Sequence, residues 1–274
     1  MILLGAAIAA AWQTPTFGQG LPILVQSALA AELQAAQDRT HPMCYDLRRS
    51  SPRLTSTKRI CETKDGAIAL LLAQNDKPLT PEESAREHNR LIALQNDPGR
   101  QAHRKQSDDA DMERVLKILR ALPKSFVYTP AGTIMGPDGP IDHFHFSPNP
   151  DFVSQSLETL PMTQMVGDIW IDRKQGRVAK LEGYLRQDVD FGWGILGQLN
   201  KGGWIRIEQA DVGGGQWRIT HFQIEMTGRV LIKNRVFSSD QRLTHFKQIL
   251  AQTNYQDAIR MLLEGQNLPQ GMTP

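Results

Sequence analysis

Residues 179–191 and 218–232 alternate apolar and polar side chains over runs far longer than an ordinary strand needs. In the first, Ala179, Leu181, Gly183, Leu185, Gln187, Val189 and Phe191 hold odd positions, apolar but for Gln187, against Lys180, Glu182, Arg186, Asp188 and Asp190. In the second, Phe222, Ile224, Met226, Val230 and Ile232 hold even positions against His221, Gln223, Glu225 and Arg229. A period of two predicts strands with one apolar face. At about 3.3 Å per residue they would run roughly 40 Å, about twice the usual length. So long a sheet must curve, and its apolar side must be covered or filled. The fold predicted is α+β: a long, curved antiparallel sheet, an open half-barrel, with helices on its concave face.

The helices that would do the covering are marked by spacing and caps. Residues 22–38 place Val25, Leu29 and Leu33 on one side of a helix. Thr80-Pro81-Glu82-Glu83 is a capping box with proline at the first helical position. A second helix is expected over 110–122, from Met112, Val115, Leu116, Leu119 and Leu122, with residues 99–111 as a charged, mobile connector. Residues 79–124 thus read as a helical insertion between two sections of one sheet. Thr253-Asn254-Tyr255-Gln256 repeats the capping-box pattern and opens a helix through Leu263. Strands are expected before the insertion, where Asp65-Gly66 turns into an apolar run over 67–73, and after it over 126–134 and 141–146. Residues 151–165 read as an irregular crossing segment.

Residues 2–12 form an Ala-rich apolar segment of signal-peptide length, too short to span a bilayer, and Gly18 and Gly20 place cleavage after Gly20. The alternative is a buried N-terminal helix. On the signal-peptide reading, residues 21–274 are one exported, periplasmic domain. The two cysteines agree with export. If the chain turns at Pro52-Arg53, Cys44 and Cys61 face each other across an antiparallel pair, within disulfide reach. A one-residue slip of register would leave two unrelated buried thiols instead. A formal net charge of +2 and the lack of a basic block interleaved with aromatics argue against a nucleic-acid partner.

Few residues suggest chemistry. His143 and His145 share one strand face and could hold a metal, but spacing marks no third ligand. A polar outer face is the simpler reading, and no metal or cofactor is assigned. Asp188 and Asp190 share a face in the same way, as paired carboxylates or as a solvated surface. A hydrolase built on either pair is the least favoured alternative, because no nucleophile elbow, phosphate loop or zinc-protease helix is present in the sequence. Among glycines, Phe191, Trp193, Ile195 and Leu196 form either a bend in the sheet or an apolar lip for acyl chains or a membrane, with Lys201 beside it.

The segments Pro148-Asn149-Pro150, Gly167-Asp168-Ile169-Trp170-Ile171-Asp172, Ala179-Lys180-Leu181-Glu182-Gly183, Asp188-Val189-Asp190-Phe191-Gly192-Trp193-Gly194 and Lys201-Gly202-Gly203 resemble a family of uncharacterised exported bacterial proteins, familiar chiefly from acidobacteria. Residues 76–83 match a further segment of that family. No activity attaches to it. The order of elements is also similar to periplasmic outer membrane lipoprotein-sorting proteins of the LolA, LolB and RseB type. That resemblance implies a half-open barrel holding acyl chains on an apolar concave face. The expected function is non-enzymatic binding of a lipid, a lipoprotein acyl chain or another apolar ligand, lined by Leu181, Leu185, Val189, Phe222, Ile224, Met226 and Val230. The alternative is a cell-envelope structural or interaction protein with a filled core, whose partner is another envelope protein.

Overall fold

The computed structural model describes residues 21–192 and 197–265. The expected signal segment and three of the lip residues, Trp193, Ile195 and Leu196, lie outside the described residues.

The chain opens with α1 (Ile23–Gln37), then the meander β1 (Met43–Ser50), β2 (Thr55–Cys61), β3 (Ile68–Gln74) and the short β4 (Lys77–Pro78). Helices α2 (Pro81–Gln95) and α3 (Pro98–Ser125) follow, then β5 (Phe126–Gly136), β6 (Gly139–Pro148), a 3-10 turn at Leu160–Thr163, β7 (Met165–Asp172) and β8 (Arg177–Leu185). The last section is β9 (Val189–Phe191), β10 (Gly197–Leu199), β11 (Trp204–Asp211), β12 (Trp217–Val230), β13 (Lys233–Gln248) and α4 (Tyr255–Gly265). The strands make one curved antiparallel sheet in the order β4-β3-β2-β1-β13-β12-β11-β8-β7-β6-β5, with β10 and β9 attached beside the outer part of β12. Its two edges, β4 and β5, do not meet, so the sheet is open, as expected.

The run expected over 179–191 divides into β8 and β9. The partner of β8, β11, begins only at Trp204. Past Leu185 the ladder therefore ends in a turn, in which Gly203 O accepts from Leu185 N and Leu185 O accepts from Gly202 N. Asp188 Oδ1 then accepts from Lys201 N at 2.7 Å, and the chain returns as β9. The longest strand is β13, at 16 residues. A bulge at His245, with φ of 56°, interrupts its alternation opposite β1, which hides it from a period-two reading.

Following directly opposed pairs shows which side chains share a face. Phe144, Ile169, Leu181, Ile207, Phe222 and Gln241 stand in one register across six strands. On this face α1 buries Val25, Ala28 and Leu29 against Phe126, Tyr128, Phe144, Phe146, Ile169 and Ile171. The anchor of α1 is Glu32. Its carboxylate accepts from Arg177 Nε and Nη2, each at 2.9 Å, from Val178 N at 3.0 Å and from Gln209 Nε2 at 3.1 Å.

The second core lies on the opposite face. Cys44, Cys61, Ile68 and Leu70 point away from the α1 side and pack against Leu91 and Leu94 of α2 and Ala258, Ile259 and Leu262 of α4. The helical cover is thus divided between the two faces, one core near each end of the sheet. Thr80 forms the expected capping box with Glu83. The cap of α4 is Asn254, whose Oδ1 accepts from Asp257 N, rather than Thr253.

Residues 99–111 are helix, not a mobile connector. Asp97 caps α3 by accepting from Arg100 N, and Pro98 takes the first helical position. The charged turns lack apolar periodicity because polar bonds hold them to the β2–β3 turn. Gln101 Nε2 donates to Asp65 O at 2.7 Å, and Ala67 N donates to Asp108 Oδ2 at 3.2 Å. Gly66 permits this approach: its φ is 98°, and a Cβ there would meet Gln101 and Lys105 at 3.2 Å.

Cys44 lies opposite Cys61 and is bonded to it. The bond closes a short loop over a sequence separation of 17, which contributes about 3 kcal/mol in the chain-entropy description. Replacing both cysteines with alanine is expected to lower unfolding stability by about that amount in denaturant melts. Reductant should reproduce the loss in the parent chain and have no effect on the variant.

Candidate functional site

Beside the first core, the α1 face carries an apolar strip. Alternation along β12 puts Phe222, Ile224, Met226 and Val230 on that face, with Ile205 and Ile207 of β11 opposite Ile224 and Phe222. Helix α1 packs on β7 and β8. Ile205, Ile207, Phe222 and Ile224 lie beyond it, half-buried, and belong to neither core cluster. Polar Ser239 and Gln241 border the strip on β13, and Phe237 continues it opposite Met226.

The strip ends at the β12–β13 hairpin. Val230 pairs with Lys233, so Leu231 and Ile232 form a two-residue turn. Ile232 is 91% exposed and Leu231 58%, with Val236 at 64% and Phe237 at 44%. Leu231 has φ of 55°. Two-residue hairpin turns place glycine, asparagine or aspartate in such positions, because a larger L side chain costs about 1–2 kcal/mol there. Two aliphatic residues at an apex, one of them in a left-handed conformation, oppose both local stability and solubility. Arg229, Lys233 and Arg235 flank them, and no acidic residue occurs between Met226 and Phe237.

From β6 to β13 the face opposite α1 is polar. His145, Asp168, Glu182, Arg206, Gln223 and Asp240 stand in one register, beside the row His143, Trp170, Lys180, Glu208, His221 and Arg242. Glu182 pairs with Lys180 at 2.8 Å and with Arg206, and Asp240 with His221 at 3.1 Å. Burial acts to raise the Asp240 carboxyl, but hydrogen bonds from Gln223 and His221 with the nearby positive charges outweigh it and hold it below the ordinary value. A depression of about 330 Å³ on this side is lined mainly by Ser50, Pro52, Trp204, Gln223, Glu225 and Asp240.

The residues predicted to line a cavity separate into two groups. Phe222, Ile224, Met226 and Val230 share the strip, and Leu181 stands beside it, packed on the α1 core. Leu185, Val189 and Met226 are 1%, 3% and 7% exposed and are packing residues here. Phe191 of the lip pairs opposite Gly197, which pairs with Val230, so it sits at the hairpin end of the strip. The carboxylates of Asp188 and Asp190 serve separate structural bonds, to Lys201 N and to Gln198 Nε2.

The sequence reading missed three features. Ile205 and Ile207 are legible as alternation within β11, but the run is short. The exposed aliphatic turn at Leu231-Ile232 was absorbed into a longer expected strand. The third is Asp168, which accepts from both His143 Nε2 and His145 Nδ1. It comes from the neighbouring strand through the His145–Asp168 register, and nothing in linear spacing announces it.

These features define an open, curved antiparallel sheet with an apolar core on each face, one apolar strip beside α1 and a polar stretch opposite it. No family model matches the chain, and no curated protein matches it. Nothing therefore supports membership in the exported acidobacterial family. Among solved structures, the chain is similar to one described as an outer membrane lipoprotein-sorting protein domain from Vibrio parahaemolyticus. The two share 9% identity, the alignment covers 81% of this chain and 91% of that one, and the TM-score is 0.32. No described helix is long and apolar enough to cross a membrane.

Proposed function

We propose that this is an exported, non-enzymatic protein that binds a lipid, acyl chain or other apolar ligand along the strip on the α1 face, and that meets the bilayer with its β12–β13 apex. One observation carries the reading. The apolar side of β12 runs without a polar interruption from Phe222, at the edge of the helix-covered core, to an apex of exposed aliphatics flanked by cations. An acyl chain on this strip would cover Ile205, Ile207, Phe222 and Ile224, while the apex would enter the interface of an anionic membrane. The disulfide supports an oxidising compartment.

The test uses the full chain purified under oxidising conditions. Native mass spectrometry should find co-purifying lipid, or the emptied protein should bind an apolar dye and a fluorescent fatty acid. Ile224→Asp and Phe222→Asp should weaken that binding at least about tenfold. Absence of ligand and of dye binding in a folded sample would sink the proposal.

The apex has a separate readout. Leu231→Gly with Ile232→Ser should reduce co-sedimentation with vesicles of phosphatidylglycerol and phosphatidylcholine by at least about tenfold. The same change should raise stability by about 1 kcal/mol through relief of the left-handed leucine. A purely structural apex would show the stability gain with no change on vesicles. The second reading, an envelope interaction protein, is favoured by the two apolar cores, each of which is filled by its own helices. It expects no ligand on the strip.

A further inference from the structure

His143, His145 and Asp168 form a cluster that the apolar strip does not use, on the opposite face of the sheet. His143 Nε2 lies 2.6 Å from Asp168 Oδ1, and His145 Nδ1 donates to the same oxygen. The three ligand atoms all lie within 4.8 Å of one another. Strand geometry produces this. Residues two apart on β6 project from one face, and the directly opposed residue on β7 brings its Cβ within about 5 Å.

Two features separate this cluster from the ordinary ion pairs of the sheet. Glu182, Asp240, Asp46 and Asp142 each have an arginine or lysine partner. Asp168 instead meets two imidazoles at one carboxylate oxygen, whereas Glu208, whose ion pair is also to an imidazole, meets His221 alone at 3.6 Å. The nearby Lys180 is occupied, paired with Glu182 and lying 4.7 Å above the Trp170 ring. In addition, His143 is held in orientation. Its ring stacks on Trp170 at 4.7 Å between centroids with planes 3° apart. A fixed imidazole beside a carboxylate without a permanent cation is the arrangement that a resident divalent ion would complete.

We infer that His143, His145 and Asp168 form a binding site for a divalent transition-metal ion of the zinc, nickel or copper type. Two imidazole nitrogens and one carboxylate oxygen suit those ions, whereas magnesium and calcium prefer all-oxygen sets. For binding, the imidazole protons now directed at Asp168 move to the other ring nitrogens or leave to solvent, and the freed lone pairs turn to the ion. Three protein ligands leave coordination positions open. The His145 side chain is 62% exposed, so solvent or a small ligand reaches them.

The experiment is titration of the full chain with Zn2+, Ni2+ and Cu2+ by calorimetry and by tryptophan fluorescence, with Mg2+ for comparison. One ion per chain is expected, with Cu2+ and Ni2+ quenching emission, and Trp170→Phe removing the quenchable part while binding persists. Outer-shell changes around metal sites cost about 10–100-fold in affinity, so His145→Ala and Asp168→Asn should each cost at least that much. Both residues lie on a partly exposed face, and circular dichroism with a cooperative thermal melt shows that the variants are folded. Substoichiometric binding, equal binding of Mg2+, or affinities unchanged in His145→Ala and Asp168→Asn would overturn the inference.

Discussion

Replacing Glu32 with alanine is expected to release α1 from the sheet and to lower stability by about 3–5 kcal/mol, the loss seen when one member of a buried ion pair is removed. The Glu32 and Arg177 side chains are 10% and 14% exposed, so truncation leaves a guanidinium buried with no carboxylate. Val178 N and Gln209 Nε2 lose their acceptor as well. For a chain of this size the midpoint should fall by roughly 6–20 °C in a thermal melt. The comparison that isolates the pair is Glu32→Leu with Arg177→Met, which removes both charges and should recover most of the loss. If Glu32→Ala melts with the parent, α1 is held by its apolar face alone.

Gly167→Ala is expected to cost about 4 kcal/mol or more, at the severe end for a single methyl group. A Cβ at Gly167 would lie 1.9 Å from Glu182 O, 2.8 Å from the Gly183 Cα and 2.8 Å from Phe146 Cζ. Two of those three atoms are backbone of the adjacent strand, so no rotamer change relieves the contact and β7 must part from β8. The Gly167–Gly183 pair lets the Phe146 ring lie down on the strands, which fills the space that two side chains would have taken. Denaturant midpoints of Gly167→Ala and Gly99→Ala give the contrast. Gly99 is in the first turn of α3, where the nearest atom to an added Cβ is at 3.6 Å, and alanine there should be neutral or slightly stabilising.

Much of this fold is legible in the sequence because its signals are local. The Thr80 capping box, the strict alternation of residues 222–230 and the Cys44–Cys61 register each depend on neighbours in the chain and on a turn of defined length. Expectation failed where a distant element supplied the stabilisation. Residues 99–111 have no apolar stripe because Asp65 and Ala67 of the β2–β3 turn satisfy them instead. The alternating run from Ala179 breaks after Leu185 because β11, 19 residues farther along, supplies no further partner.

The sequence by itself determined that this chain builds long antiparallel strands, each with one apolar side, and a disulfide-bonded hairpin, since side-chain alternation and cysteine register are written residue by residue. Only the tertiary structure decided what each face does. It divided the helices between the two faces and left Ile205, Ile207, Phe222 and Ile224 half-buried beyond α1, with an exposed apex past the buried Met226. It also brought Asp168 to the two histidines. Those outcomes depend on which strands become neighbours, and strand neighbours are chosen by burial summed over the whole sheet, which no single stretch of chain records.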